Sequence, residues 1–522
     1  MRWFIGPIAI IAAQPALAQG FCLPIDTIDV SGATIISDAQ MAAAVAPFAG
    51  NCLGMEQINA ALEAVTFLYV DRGYITARAY LPEQDIADRG LDITVVEGEL
   101  AGIRFNGEAR PLWEKIAFPG LIGQTANLRD IEQGLDIIRG MPAYTATMEI
   151  TAGEAEGQSI LDVDAVAEKR WTARFGANNH GTPGSGEYNA TADLAYDHLL
   201  GLNETWSLNI SRGAEANPLG SDTGGAATLN YGAGLRLPYG PWTLQGNYKH
   251  SYYETDTLGP ITSIGTDGWT DTADISLSRV VHRNQNSKTS VTGVVNWRDN
   301  VNRIAEIEIN ASSRTLASAR LDLDHERSLW GGHFAARLGY EQGLDAFDAE
   351  VAADPLVGPN PQFALVDFEL RYSHGWAREG GNINASTTLR GQWSDDTLYG
   401  AYRMGLGSLS SVRGAKTYDY ETSDAGLFSG DTGLIWRNDV SWTTPMPLPT
   451  LIGALQVYGG LDAGVVEVDD SDQAKPLVGG AVGLRTVGST VAIDLAWQQV
   501  LTMPNGATPP DGIALLSIST NF

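Results

Sequence analysis

The chain has 522 residues, and at about 100–200 residues per domain it holds more than one structural unit. Its 62 acidic residues outnumber the 33 basic ones for a net charge of −29, so it offers no phosphate-neutralising surface and nucleic acid is excluded as a partner. Glycine is abundant at 59 residues, while charged residues reach only 18%, below the ~25% of soluble domains.

Residues 1–18 read as a cleaved signal peptide. Arg2 is the positive end, Trp3 to Ala13 the apolar run, and Ala16-Leu17-Ala18 the small-x-small cleavage pattern. That run is too short to cross a membrane, and no later stretch offers the roughly eighteen apolar residues that a spanning helix needs. Export makes the two cysteines readable. An oxidising compartment joins Cys22 to Cys52, and closing a loop of that length is worth roughly 3–4 kcal/mol in the chain-entropy model. A metal pair or two free thiols are the alternatives, but no His lies between the cysteines and there is no CxxC.

Residues 21–166 carry helical periodicity. Ile25 to Val30 alternates as a strand, Ser37 is placed to cap a helix through Phe48, and Ile58, Leu62, Val65 and Tyr69 share one face of a helix over 55–72. Gly73 ends that helix, and strands follow at 74–82 and 91–96. The order β-α-α-β-β then repeats: a strand at 100–105, a short helix at 112–118, a helix capped by Asn127 with Leu128, Ile131, Leu135 and Ile138 on one face, and strands at 144–150 and 159–166. The two modules are expected at 19–98 and 99–166. Residues 19–166 hold 22 acidic against 8 basic residues, a net of −14.

From Trp171 onward the period falls to two. Segments such as 171–178 and 226–237 alternate apolar and polar residues, the repeated signal of a transmembrane β-barrel over 167–522. Sixteen strands are predicted, near 171–178, 188–196, 205–212, 226–237, 242–253, 269–281, 288–298, 312–325, 333–343, 362–373, 382–392, 433–443, 455–465, 476–487, 489–499 and 512–522. Short connections such as 238–241 and Gly488 alternate with long ones at 254–268, 344–361 and 393–432. Trp206, Trp242, Trp297 and Trp442 fall near strand ends, where an interfacial girdle belongs. In the last strand Ala514, Leu516, Ile518, Thr520 and Phe522 share a face, and the terminal aromatic resembles the targeting signal of outer-membrane barrels.

The run GYITARAYLPEQDIADRGLDITVVEGEL (73–100) followed by NLRDIEQGLDIIRGMPA (127–143) resembles the paired POTRA modules of the two-partner secretion transporters, the hemolysin-activator (ShlB/FhaC/HecB) family. The Cys22/Cys52 pair also matches that family's first module. The resemblance implies α+β POTRA modules in the periplasm, a 16-stranded antiparallel barrel in the outer membrane of a Gram-negative bacterium, and an unfolded exoprotein partner with an N-terminal secretion domain. It also implies contact with outer-membrane lipid and with barrel assembly machinery during biogenesis. In the family the longest loop folds back into the barrel with a Val-Arg-Gly-aromatic tip; here Val412, Arg413 and Gly414 match and Ala415 replaces the aromatic. Strand alternation turns Gln456, Tyr458, Gly460, Asp462 and Gly464 toward the lumen and Leu455, Val457, Leu461, Ala463 and Val465 toward lipid. The run Gly460 to Gly464 matches the family's motif whose Asp receives the loop arginine, so Arg413 is expected to meet Asp462. Arg437 and Asp439 share a lumenal face and are expected to be structural. Many members carry an N-terminal helix that plugs the pore; only Gln19 to Phe21 lie between the expected cleavage point and Cys22, so loop 393–432 is expected to be the main obstruction.

No chemistry competes with transport. The seven His are scattered, and no HExxH, P-loop or nucleophile elbow occurs, so neither catalytic residues nor cofactors are expected. Asp469, Asp470 and Asp472 lack the Gly and distal Glu of a calcium loop. A POTRA-barrel protein that inserts other barrels and a passive porin or receptor are the alternative readings. The first is disfavoured by having only two modules, and the second leaves both modules without a use.

Overall fold

The computed structural model describes residues 22–522 except 182–185, 221–224, 259–262, 353–357, 415–428, 447, 468–474, 489, 504–508 and 510. The expected signal peptide, Ala415 and the acidic run 469–472 lie outside the described residues. Two compact units are present. One takes in the chain through Ala109 with Gly120–Ile131 and Met148–Val163; the other takes in Arg110–Pro119, Glu132–Thr147 and Asp164–Phe522.

The first module contains β1 (Leu23–Ile25), β2 (Thr27–Ser31), α1 (Asp38–Val45), β3 (Asn51–Leu53), α2 (Met55–Asp71), β4 (Arg78–Tyr80) and β5 (Gly90–Val96). Helix α2 buries Ile58, Ala61, Val65 and Tyr69 at the 3.6-residue spacing, and β5 buries Leu91, Ile93 and Val95 at the two-residue spacing. Each large side chain so buried contributes roughly 1.5–3 kcal/mol. Three sequence expectations shift. The strand predicted over 25–30 divides at Asp26, whose N–H donates to Arg89 O at 2.8 Å, so β1 pairs with β3 while β2 runs parallel to β5. Helix α1 stops at Val45, and the Ser37 hydroxyl turns to Gln40 instead of capping. The strand predicted over 74–82 shrinks to β4, because Tyr74 bridges to Asn127. Cys22 and Cys52 form a disulfide with a Cα–Cα distance of 5.4 Å, joining the start of β1 to β3.

The second repeat supplies β6 (Glu99–Phe105), α3 (Pro111–Ala117), α4 (Leu128–Arg139), β7 (Thr145–Ala152) and β8 (Gln158–Val166), with the sheet order β6-β8-β7. Pro111 opens α3, where its missing N–H costs nothing. The Asn127 side chain accepts from Arg129 N at 2.9 Å, capping α4 as the sequence suggested.

The barrel strands are β9 (Trp171–Asn178), β10 (Tyr188–Asp197), β11 (Thr205–Ala214), β12 (Ala226–Tyr239), β13 (Trp242–Leu258), β14 (Ser263–Arg283), β15 (Ser287–Ile304), β17 (Arg314–Leu329), β18 (Gly332–Gly343), β19 (Ala364–Arg378), β20 (Gly381–Trp393), β23 (Thr432–Thr443), β24 (Ala454–Glu467), β25 (Lys475–Val487), β26 (Val491–Thr502) and β27 (Ile513–Asn521). The short β16 (Ile307–Glu308) folds back on β15, and β21 (Met404–Gly405) pairs with β22 (Ser429–Gly430). Neighbours are antiparallel, and β27 closes on β9. Phe522 completes the seam by exchanging both backbone hydrogen bonds with Ala173, and its ring meets Phe175 edge-on. β13 and β14 run past their predicted ends to Leu258 and from Ser263, and Trp297 stands inside β15 rather than at its end.

Candidate functional site

Alternation along β23 and β24 sets the lumen. Trp436, Val440, Trp442 and Leu461 are exposed on the lipid side, so Arg437, Asp439 and Asp462 point inward. The described part of the connection from β20 to β23 returns into that lumen with Val412-Arg413-Gly414 against the wall.

Arg413 is 3% exposed and Asp462 0%. The guanidinium grips Asp462 with two bonds, Nε to Oδ2 at 2.6 Å and Nη2 to Oδ1 at 2.7 Å, while the Arg413 backbone N–H donates to Oδ2 at 3.1 Å. A third guanidinium bond, Nη1 to Asp439 Oδ1 at 2.6 Å, makes Asp439 a direct partner rather than a bystander on the strand. Such a fork matches a carboxylate edge to edge, and stripping one member of a buried pair costs about 3–5 kcal/mol by stranding the other charge.

Glycines make room for this contact. A Cβ on Gly479 would collide with the Arg413 carbonyl, one on Gly460 with its guanidinium, and one on Gly464 with Leu406 and Val412. Gly414 has φ +96°, a backbone shape that favours glycine, and its N–H donates to Gln498 Oε1 at 3.2 Å. Val412 is buried with Leu406, Ile435, Val466, Leu477, Val500 and Met503. Further tethers hold the loop's flanks: Arg437 Nη1 donates to Leu409 O at 2.5 Å, Arg390 to Ser410 O, and Arg403 Nε to Asp431 Oδ1 at 2.9 Å. A polar cavity of about 360 Å³ adjoins the tip, lined by Asn384, Arg437, Asp439, Tyr458, Arg485 and Asp494.

This arrangement can hold a loop inside a pore; it has no nucleophile with an adjoining base. Among the described residues, no group of three His, Cys, Asp or Glu could hold a metal ion. A model of the haemolysin secretion/activation protein ShlB/FhaC/HecB family matches residues 157–486, and POTRA domain models match 23–98 (ShlB-type) and 99–152. The chain belongs to this family.

Among the family's members, the outer membrane transporter CdiB of Dickeya dadantii is 32% identical over 474 residues, covering 90% of this chain and 81% of the relative. The hemolysin transporter ShlB of Serratia marcescens is 28% identical over 512 residues, 97% of this chain and 87% of its own. The solved structure of Escherichia coli CdiB superposes with a TM-score of 0.88 at 30% identity, covering 99% of this chain and 94% of that one. CdiB from Acinetobacter baumannii, at 22% identity and a TM-score of 0.77, shares the fold. This family member is therefore an outer-membrane transporter of the two-partner secretion type, with POTRA domains followed by a closed sixteen-stranded barrel.

Outside the lumen, Glu97 and His198 are among the titrating groups that the fold perturbs. In the first POTRA module burial raises the Glu97 pKa, but bonds from the Thr34 hydroxyl, the Thr34 and Ile35 N–H groups and the Tyr69 hydroxyl outweigh it and leave the carboxyl below its ordinary range. In the turn after β10, the His198 ring lies against Trp113, centroids 4.4 Å apart, and takes the indole hydrogen bond. Burial lowers its pKa to about 4 against the opposing pull of Glu204. Of the residues singled out from sequence, the transporter's lumen brings Val412, Arg413, Gly414, Asp462, Gly464, Arg437 and Asp439 together. Sequence reasoning missed Gly479, Gln498, Arg390 and Arg403. The Gly-Gly pair at 479–480, rare inside a strand, was the one available signal.

Proposed function

We propose that this transporter recognises one unfolded exoprotein in the periplasm through its POTRA modules and passes it through the barrel, with loop 393–432 held in the lumen by Arg413 until the exoprotein displaces it. The observation that carries the reading is the Arg413–Asp462 fork inside a pore whose family members are secretion transporters. A bond of that strength fixes the loop at rest, and insertion of a chain needs the same volume.

Recognition has a physical route. β4 and β7 each form one edge of their sheets, and a groove of about 750 Å³ beside them is lined by Ile75, Arg78, Tyr80, Val96, Ile150 and Ala152. An extended segment adding to such an edge gains backbone hydrogen bonds while alternate side chains enter the groove. The full-length transporter should retain the N-terminal segment of a large exported protein encoded beside it. Proline substitutions along that segment's recognition strand should abolish retention, and unchanged binding would rule strand addition out. Passage of the segment through liposomes carrying the transporter, and its failure with Arg413→Ala, tests the pore half of the reading.

A further inference from the structure

The connection between β20 and β23 is held at two places by different means. At the tip the hold runs through the Arg413 side chain and the apolar pocket around Val412. Nearer the strands, the two limbs of the loop are clasped to each other. Asp431, 1% exposed at the foot of the returning limb, accepts from Leu398 N–H at 2.9 Å and from Arg403 Nε at 2.9 Å, both on the outgoing limb. Gln392 Nε2, near the end of β20, donates to Tyr402 O at 2.9 Å and to Asp431 O at 3.0 Å, one carbonyl on each limb. β21 then pairs with β22, with Met404 opposite Gly430 and Gly405 opposite Ser429.

The outgoing limb is also built into the chain that enters β19. Asp396 accepts from Ala364 N–H at 2.7 Å and from the Asn360 amide at 2.9 Å. The Ser394 hydroxyl donates to Ala364 O at 2.8 Å, and Asn360 N–H donates to Thr397 O at 2.8 Å. Leu398 and Phe363 are buried together, and the Tyr402 ring lies 4.2 Å from that of Phe363. Displacing the tip breaks one fork and uncovers one pocket. Displacing the neck would break all of these bonds at once and bring Leu398 and Phe363 into water. Between neck and tip stands Gly405-Leu406-Gly407, and Gly407 has φ +84°, a backbone shape that favours glycine. A few residues at the end of an element suffice to absorb the backbone rotation of a hinge.

We propose that only the tip leaves the lumen during transport, while the neck, clasped by Asp431, stays in the wall as a fixed hinge. The proposal rests on the reading that the exoprotein displaces the loop. The eight steps from Gly405 to Arg413 reach at most about 28 Å, so a released tip remains near Asp462 at high effective concentration and redocks once the exoprotein has passed. Asp431 is then a positioning residue for transport: it acts through the neck and touches no exoprotein.

Two disulfide staples in the full-length transporter test this. Gly405→Cys/Ser429→Cys closes the neck: facing residues of an antiparallel pair stand about 4.5–5.5 Å apart, within the span of a disulfide, and a Cβ on Gly405 meets nothing within 4 Å. Val412→Cys/Gly464→Cys pins the tip, since a Cβ on Gly464 would lie 3.0 Å from a Val412 methyl. When oxidised, the neck staple should leave secretion within about twofold of its own reduced state, and the tip staple should lower secretion at least about tenfold until reductant restores it. The wild type with and without reductant controls for the Cys22–Cys52 disulfide. Asp431→Asn should lower secretion at least about threefold, and adding the neck staple to that variant should restore it. Heat-modifiable mobility on gels confirms that each barrel is folded. Undiminished secretion by Asp431→Asn, a neck staple that blocks secretion, or one that fails to rescue Asp431→Asn would overturn the proposal and leave tip displacement standing. Full secretion with the tip stapled would overturn tip displacement itself, and the proposal with it.

Discussion

Arg413 and Arg320 each meet carboxylates on the lumen wall, and they differ in where the arginine comes from. Arg320 belongs to the wall. From β17 its Nε bonds Asp322 on the same strand at 2.9 Å, and its terminal nitrogens reach Glu341 on β18 at 3.4 Å and Asp367 on β19 at 2.7 Å. It rivets three adjacent strands that already share backbone ladders. Arg413 arrives on a returning loop and joins Asp462, 49 residues later in the chain, to nothing that a ladder would otherwise hold. Similar chemistry therefore serves two ends: a bond within the ladder adds rigidity, and a bond outside it fixes the position of something able to leave.

The largest effect should come from removing the loop altogether. A short turn in place of 394–431 leaves the ladder between β20 and β23 intact, and planar-bilayer conductance should rise severalfold; an unchanged conductance means that the loop does not obstruct the pore. Gly479→Val comes next, because its side chain would occupy the space of the Arg413 carbonyl. It should undock the tip from a folded barrel and raise conductance toward the loop-deleted value. Separating the two carboxylates sharpens the picture further. Asp462 takes three bonds from Arg413 and Asp439 takes one, so Asp462→Asn should impair secretion about tenfold or more and Asp439→Asn only a fewfold, at roughly 1.5–3 kcal/mol per charged bond. Arg320→Met should lower the barrel's unfolding temperature while secretion stays within about twofold; a loss of secretion as deep as that of Asp462→Asn would erase the distinction.

The smallest effect involves neither arginine. His198 is held neutral by burial, with its folded pKa near 4 and an unfolded value near 6.5. A depressed histidine contributes stability above the unfolded value and loses it as pH falls from about 6.5 toward 4. Protease cleavage within 110–119 should rise on acidification from pH 7 to 5, and His198→Gln should flatten that dependence.

Much of this was legible in the sequence because alternation is a local signal. Sixteen strands, the inward turn of Asp462 and the helical face of Ile58, Val65 and Tyr69 all follow from side-chain period. The Arg413 tip was legible only through a family motif, since nothing in 393–432 by itself says that the loop turns inward. What stayed hidden depends on chain segments meeting across space. Gly479 reads as one more small strand residue until the Arg413 carbonyl lies against it. Asp439 shares a face with Arg437, and its bond to Arg413 needs the loop in place. The division of the first strand at Asp26 likewise depends on Arg89, far along the chain.

Secretion by Arg413→Ala, measured beside heat-modifiable barrel folding in the same membranes, tests the central claim most directly. If the arginine positions the loop for transport, the variant inserts a normally folded barrel and secretes at least tenfold less exoprotein than the wild type. Wild-type secretion from that folded barrel would contradict the account.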